Sequence, residues 1–219
     1  MSCAPIRARI AVECLDIFGA FHPGADDGLP ADCRTLLLLG PKEPGFWPHV
    51  TAAPEFTDSR PDPLDRWSER VIGALAEKLG ATALFPFGGP PHQPFIAWAK
   101  RSGRAWVSPV GLLVHDVAGL MVSYRGALAL PERLDLPALP PCPCDTCTQP
   151  CLDACPAGAL TAAGYDLAAC HAFLDTPPGA DCMARGCRVR RACPVSREYG
   201  RVPEQSGFHM TAFHRCPCA

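Results

Sequence analysis

Apolar runs in the first two thirds of the chain predict a layer of strands and helices. The segment CRTLLLLG, residues 33–40, ends in an apolar run closed by a glycine, as a buried strand would. TALFPF at 82–87 predicts a second strand, and 111–115 and 120–130 predict two more, joined by a tight turn at 116–119. Such a mixture favours an α/β layer in which one sheet is covered by helices.

Helical periodicity is clearest over residues 62–81, DPLDRWSERVIGALAEKLGA. One face of this predicted helix carries the apolar residues Leu64, Trp67, Val71, Ile72, Leu75 and Leu79. Asp62 is placed to cap the helix, Pro63 suits its first turn and Gly80 suits its end. The preceding stretch, 44–63, is rich in proline and aromatic residues and predicts a long loop.

A proline-rich segment at 131–144, PERLDLPALPPCPC, cannot continue a helix or a central strand. It predicts a boundary between an α/β domain at 1–138 and a second domain at 139–219. Regular structure is expected to be sparse in the second domain, with short helices over 166–175 and 203–215.

Composition and charge suit a soluble globular protein of one or two domains, since 48% of the 219 residues are hydrophobic and 19% are charged. The net charge of -2 and the lack of a long basic block disfavour nucleic acid as a partner. Glu13 and Asp16 interrupt the apolar stretch near the N-terminus, and no run reaches the roughly 18 residues of a membrane span. We therefore expect a cytoplasmic protein with no membrane partner.

Fourteen cysteines change this picture, because all but Cys3, Cys14 and Cys33 follow residue 140. In a reducing cytosol such a density indicates metal binding rather than disulfides. A run CDTCTQPCLDACP holds Cys144, Cys147, Cys151 and Cys155. Its spacing matches the bacterial ferredoxin pattern C-x2-C-x2-C-x3-C-P with one residue inserted, at Gln149 or Pro150.

A second group of four cysteines also ends in Cys-Pro, and comprises Cys170, Cys182, Cys187 and Cys193. In two-cluster ferredoxins the cysteine before each proline binds the other cluster. This exchange predicts two 4Fe–4S sites, which we call set I and set II. Set I is Cys144, Cys147, Cys151 and Cys193; set II is Cys155, Cys170, Cys182 and Cys187.

Several alternatives remain open at this stage. Zinc could replace the clusters in a non-redox binding module, although zinc ribbons favour paired C-x2-C knuckles. Cys142 could take the place of Cys144, whereas Cys216 and Cys218 in the tail are expected to be free or disordered. His92 and His115 are expected to have structural roles. The aromatic residues Phe46, Trp47, Phe85 and Phe87 either pack in the core or line a flat cofactor pocket.

Arginines surround the second cysteine group, at positions 185, 188, 190, 191, 197 and 201. They form either a solvated surface with local carboxylate partners or a docking patch for an acidic electron donor, such as a flavodoxin or a ferredoxin.

The C-terminal part of the chain resembles the ferredoxin domain of the epoxyqueuosine reductase family. The resemblance rests on CDTCTQPCLDACPAGAL at 144–160, the lone cysteine of LAACHAFLDT and the GCRVRRACP group at 186–194. It also extends to VSPVGLLVHDVAGLMVSYRGALAL at 107–130. The segments PFIAWAKRSG and PEQSGFHMTAFHR are similar to those of small bacterial 4Fe–4S proteins of about this length.

The resemblance implies an α+β protein with a nitroreductase-like N-terminal domain that holds cobalamin and a small dicluster ferredoxin domain. The clusters would pass electrons to a corrinoid or a small-molecule substrate in the first domain, as in a cobalamin-linked oxidoreductase. A simple ferredoxin-like carrier without a small-molecule site is the alternative. The segment FGGPPHQPFIAWA, residues 87–99, lacks the carboxylate that the family's reductases carry there, so epoxyqueuosine reduction itself is not expected. No catalytic or cobalamin-binding residue can be named.

Overall fold

A computed structural model describes residues 3–215. The chain divides into two compact units. Among the described residues, the sheet unit comprises 3–105 together with 123–140, and the cysteine unit comprises 106–122 and 141–215. The stretch 106–122 lies within the predicted 1–138 domain, but its contacts place it in the cysteine unit.

The strands and helices follow one another in short segments. The strands are β1 (Leu15–Phe21), β2 (Thr35–Pro41), β3 (Thr82–Leu84), β4 (Ala105–Val107), β5 (Leu113–His115), β6 (Gly126–Leu130), β7 (Leu160–Thr161) and β8 (Gly164–Tyr165). The α-helices are α1 (Ala4–Ala11), α2 (Phe46–Thr51), α3 (Pro63–Leu79), α4 (Phe95–Arg101), α5 (Leu167–Leu174), α6 (Ala180–Arg185), α7 (Arg188–Ala192), α8 (Pro194–Glu198) and α9 (Pro203–Arg215). The mixed α/β character expected from the sequence is confirmed.

The sheet unit is built on an antiparallel sheet in the order β1-β2-β6-β3. Its centre is β2, where the leucines at 36–39 are fully buried. The predicted hairpin of 111–115 with 120–130 is wrong, because β6 lies between β2 and β3 while β5 pairs with β4. All five residues of β6 are buried, and a buried strand needs hydrogen-bonding neighbours on both sides. The predicted turn is present, since His115 and Gly119 exchange two backbone hydrogen bonds of 3.0 and 2.9 Å.

Helix α3 confirms the predicted amphipathic helix and covers this sheet unit with its apolar face. Trp67 is 1% exposed and Ile72 is fully buried. Asp62 occupies the N-cap position but makes no side-chain capping bond, because its backbone is left-handed with φ at 52°. Gly80 ends the helix in the left-handed conformation, as expected.

The predicted long loop at 44–63 is wrong, since α2 and a 3₁₀ turn at 54–56 fill much of it. Phe46 is fully buried and packs edge-on against Trp67, with ring centroids 5.5 Å apart. Phe46, one of the aromatic residues of the predicted loop, therefore belongs to the short helix α2, which packs against α3. Strand β1 had no clear sequence signal, because Asp16 interrupts its apolar pattern.

The cysteine unit contains two-stranded ribbons and short helices. Strand β4 pairs with β5, and β7 pairs with β8. The helices predicted over 166–175 and 203–215 are confirmed as α5 and α9. Buried residues of this unit form a core cluster of Val110, Val114, Leu120, Cys151, Leu160, Val189 and Cys193. Among residues 3–215 no helix is long and apolar enough to cross a membrane.

Candidate metal centre in the cysteine unit

The predicted ligands come from loops and from helix ends. Cys144, Cys147, Cys151 and Cys155 lie in turns and irregular segments. Cys170 lies in α5 and Cys182 in α6, while Cys187 and Cys193 flank α7. Within the described part of the chain all twelve cysteines are free of disulfides. Cys216 and Cys218, expected to be free or disordered, lie outside the described residues. Eight thiols are therefore available as thiolate ligands.

The thiols of set I influence one another electrostatically. Burial, together with negative charge at Cys142, Cys147 and Cys193, raises the pKa of Cys144 to about 12. Burial also raises the pKa of Cys151, again with contributions from Cys193 and Cys147. Cys193 thus lies beside the first three cysteines of the ferredoxin-like run, although it is far from them in sequence.

The thiols of set II also influence one another electrostatically. Burial raises the pKa of Cys170, and negative charge at Cys187, Cys155 and Cys182 adds to this effect. The pKa of Cys182 is also raised, first by burial and then by charge at Cys187. Cys155 therefore lies close enough to Cys170 for its charge to act on that thiol.

Backbone amides point toward sulfurs in both sets. In set I the Gln149 amide donates to Cys147 Sγ over 3.3 Å. Gln149 has φ at 56°, which is rare for a residue with a side chain, so the chain makes a tight left-handed bend at the predicted insertion. In set II the amide of Arg188 donates to the sulfur of Cys182 and opposes the rise in its pKa. Amide donors of this kind stabilise negative charge on sulfur.

The turn between β5 and β6 approaches Cys193 closely, which the sequence did not reveal. A Cβ on Gly119 would lie 3.0 Å from Cys193 Sγ and 2.5 Å from the Ser196 backbone nitrogen. Gly119 also has φ at +55°. The next amide, that of Leu120, donates to Ser196 Oγ over 2.8 Å. Glycine is therefore required for this turn to lie against set I.

His115 holds the same turn in place. Its side chain is completely buried, and its Nδ1 accepts hydrogen bonds from the Val117 and Ala118 amides over 3.1 and 3.2 Å. Two amide donors on Nδ1 require the proton to be on Nε2, which lies 3.2 Å from Asp116 Oδ1. The expected structural role of His115 is confirmed.

The arginines form a smaller surface patch than the sequence suggested. Arg185, Arg188 and Arg191 all contact the single carboxylate of Asp181, at 3.6 and 3.0 Å for the first two. Hydrogen bonding to Arg188 lowers the pKa of Asp181. The side chains of Arg185 and Arg188 are 61% and 45% exposed, so positive charge exceeds negative charge on this surface.

Two other arginines are directed to backbone carbonyls of the turn. Arg190 donates from Nη1 to the Leu120 carbonyl, and Arg201 donates to the Met121 carbonyl over 3.0 Å. These two residues stabilise the cysteine unit and leave the exposed patch to Arg185, Arg188, Arg191 and Arg197.

The spacing of the thiols bears on which metal group the site suits. Within residues 3–215 no three His, Cys, Asp or Glu side chains converge tightly enough to share one metal ion. A tetrahedral zinc site with Zn–S bonds of 2.3 Å needs sulfurs about 3.8 Å apart. A 4Fe–4S cluster would instead use the four thiolates of one set, each on a different iron. A hydrogen bond joins the Cys142 and Cys144 thiols, so Cys142 lies beside one member of set I.

The sheet unit has two neighbouring cavities of about 640 and 390 Å³. They share a wall formed by Ser102 and the segment 135–137, and Arg101 and Arg133 line the larger one. Such volumes suit a ligand of ordinary small-molecule size. A complete corrinoid with its nucleotide tail is larger than either cavity, and none of the four predicted pocket aromatics lines them.

Comparison of the chain with protein-family models, with curated proteins and with solved structures found no match.

Proposed function

We propose that this chain is an iron–sulfur electron-transfer protein that holds two 4Fe–4S clusters, one on set I and one on set II. The observation that carries the proposal is the exchange between the two cysteine groups. Cys193 interacts with Cys144 and Cys151, whereas Cys155 interacts with Cys170. Two-cluster ferredoxins exchange a cysteine between their two groups in the same way, which supports the proposal.

The donor set fits this chemistry. Each set offers four thiols, at least one amide directed at a sulfur, and partial burial that limits access of water. When bound, such clusters supply one-electron transfer. The chain itself fixes the thiols, donates hydrogen bonds to them and excludes solvent around Cys151, Cys182 and Cys193, which are 6%, 5% and 8% exposed.

The partner that we propose is an acidic electron donor such as a flavodoxin or a ferredoxin. Three arginines share the one carboxylate of Asp181 on the segment that carries Cys182 and Cys187. Positive charge beside set II would attract a negatively charged donor and orient it during a brief encounter.

The electron acceptor that we propose lies in the sheet unit. The cavities there support a small-molecule substrate, and their size argues for a ligand smaller than an intact corrinoid. Cobalamin is the acceptor that the family resemblance implies, but an intact corrinoid is larger than either cavity. A plain electron carrier would need neither a small-molecule substrate nor cobalamin in the sheet unit.

The deciding experiment measures iron, acid-labile sulfide and zinc in the full chain after anaerobic purification. We expect about eight irons and eight sulfides per chain, as two 4Fe–4S clusters require. Little iron together with bound zinc would overturn the proposal in favour of a zinc module. Addition of a reduced corrinoid then tests whether cobalamin is the acceptor, because only a protein that binds the corrinoid changes its optical spectrum.

A further inference from the structure

The two cavities of the sheet unit lie beside the end of α4, and the chain at 134–139 forms much of their wall. Ala20, Ser102, Leu136 and Leu139 line both cavities, so the two adjoin. All of their lining residues belong to the sheet unit. A ligand bound there would therefore be held by that unit alone.

Arginines predominate among the charged groups of these cavities. Asp135 is the one carboxylate among the described lining residues. Asp16 Oδ1 lies 3.5 Å from Arg7 Nε, and Asp27 Oδ2 lies 3.3 Å from Arg101 Nη2, but neither aspartate lines a cavity. These three carboxylates face four arginines, which leaves an excess of positive charge. The four are Arg101 and Arg133 in the larger cavity and Arg7 and Arg104 in the smaller one.

Arg101 is held in place at the wall of the larger cavity. Its partner Asp27 has a side chain that is only 9% exposed and that also accepts the Gly24 amide over 2.6 Å. The guanidinium carbon of Arg101 lies 5.2 Å from the centre of the Phe21 ring, in a cation–π contact. A guanidinium fixed in this way loses little conformational entropy when it binds an anion.

Arg133 differs from Arg101, because it has no hydrogen bond or ion pair with the residues that the structure describes. The backbone on both sides of it is fixed. The Thr35 hydroxyl donates to the Glu132 carbonyl over 2.8 Å and accepts the Leu134 amide over 3.0 Å. His22 Nε2 donates to the Leu134 carbonyl over 2.9 Å. Arg133 therefore starts from a fixed point of the cavity wall and has all its donors available for a ligand.

The remaining wall of the larger cavity indicates which anion it suits. Phe21 and Leu134 are 6% and 1% exposed, and Leu136 is half-buried, so part of the wall is apolar. Helix α4 ends at this cavity with Ser102 as its C-cap, and the carbonyl end of a helix carries partial negative charge. Asp135 adds a further negative charge. These groups disfavour a doubly charged phosphate more than a singly charged carboxylate.

We propose that the larger cavity binds a small organic acid, whose carboxylate is bound by Arg101 and Arg133 and whose apolar part packs against Phe21 and Leu136. Guanidinium groups match the geometry of a carboxylate and form charge-assisted hydrogen bonds with it. The inference rests on the proposed function for the role of this acid as electron acceptor. The site itself is formed by the sheet unit and requires no cluster.

The test is isothermal titration calorimetry of the full chain at low salt, with benzoate as the probe. Benzamide has nearly the same size and shape but no charge, so it is the matched neutral ligand. We expect benzoate to bind at least about tenfold more tightly than benzamide, because only benzoate forms charge-assisted hydrogen bonds with the arginines. Phenyl phosphate should bind more weakly than benzoate.

Three variants assign the binding to this cavity. Arg133→Gln should weaken benzoate binding by about tenfold and leave benzamide binding unchanged. Thermal denaturation should show unchanged stability, since Arg133 has no partner among the described residues. Leu136→Ala should weaken both probes alike, because it removes apolar contact with the ring. Arg60→Gln removes an exposed arginine that lines neither cavity, and it should change neither affinity.

The outcomes separate this inference from the proposed function. Absence of benzoate binding, equal binding of benzoate and benzamide, or equal weakening by Arg133→Gln and Arg60→Gln would overturn the inference. Tighter binding of phenyl phosphate would overturn the assignment of a carboxylate. Iron content is independent of all these results, so the two-cluster proposal would stand. Wild-type protein without iron would instead overturn the proposed function, whereas selective benzoate binding would still establish the acid site.

Discussion

The two units of the chain bury their residues by different means. The sheet unit has a continuous apolar interior in which the leucines of β2, Ile72 and Trp67 are almost completely buried. The cysteine unit has short helices and two-stranded ribbons, and its core cluster counts Cys151 and Cys193 among its members. Two-stranded ribbons and single-turn helices are weak structures by themselves.

The difference indicates that the units depend on different sources of stability. The sheet unit has the continuous apolar burial that stabilises most domains with a layered core. In the cysteine unit, metal ligation would supply folding free energy that its small apolar core does not. Each of the following predictions tests this contrast by perturbing one unit and measuring the consequence in that unit and in the other.

The largest effect is expected from Cys155→Ala. Loss of one thiolate of set II should remove one cluster, so iron should fall by about half, to roughly four per chain. The cysteine unit should also become more sensitive to proteolysis. Iron analysis and limited proteolysis measure the two effects. Cys3→Ala is the control and should leave iron unchanged; a loss of iron in that variant would mean that the ligands are misassigned.

Trp67→Ala should destabilise the sheet unit by about 3–5 kcal/mol, because it leaves a large cavity under α3. Chemical denaturation monitored by circular dichroism measures this loss. Iron per chain in the folded fraction should stay near the wild-type value, since Trp67 contributes nothing to either set. A parallel loss of iron would show that the cluster sites depend on the packing of the sheet unit.

Gly119→Ala should destabilise the cysteine unit by about 2–4 kcal/mol, because the new Cβ would be 2.5 Å from the Ser196 nitrogen at a residue with positive φ. Iron should decrease selectively at set I, which includes Cys193. Gly111→Ala is the matched control, since Gly111 has φ at +76° but open space around its Cβ position. It should cost only about 1 kcal/mol and retain all iron. Equal effects of both substitutions would argue against close packing at Cys193.

The smallest effect is expected at the arginine patch. Arg188→Gln removes one exposed charge and should slow reduction by an acidic flavodoxin roughly twofold to fivefold at low salt. Reduction by dithionite should not change, and the difference should disappear as salt is raised. Arg9→Gln in α1 removes the same charge from the sheet unit and is the control. If both variants slow the reaction equally, net charge rather than this patch attracts the donor.

Sequence alone predicted the strongly patterned parts of the molecule. A run of four leucines and a helical apolar stripe identified β2 and α3, because both patterns have the period of the structure that buries them. The spacing of the cysteines and the two Cys-Pro ends were sufficient to propose set I and set II. Local patterns of this kind are visible in sequence because the residues that form them are close along the chain.

Only the tertiary structure decided what depends on contacts between distant segments. It pairs β6 with β2 and β3 rather than with β5, and it assigns 106–122 to the cysteine unit. It also brings Gly119 against Cys193 and directs Arg190 inward to the Leu120 carbonyl, away from the patch of its neighbours. A glycine in a turn and an arginine among arginines have no distinguishing sequence pattern. Their roles are set by which surfaces pack together, and that is determined by the fold as a whole.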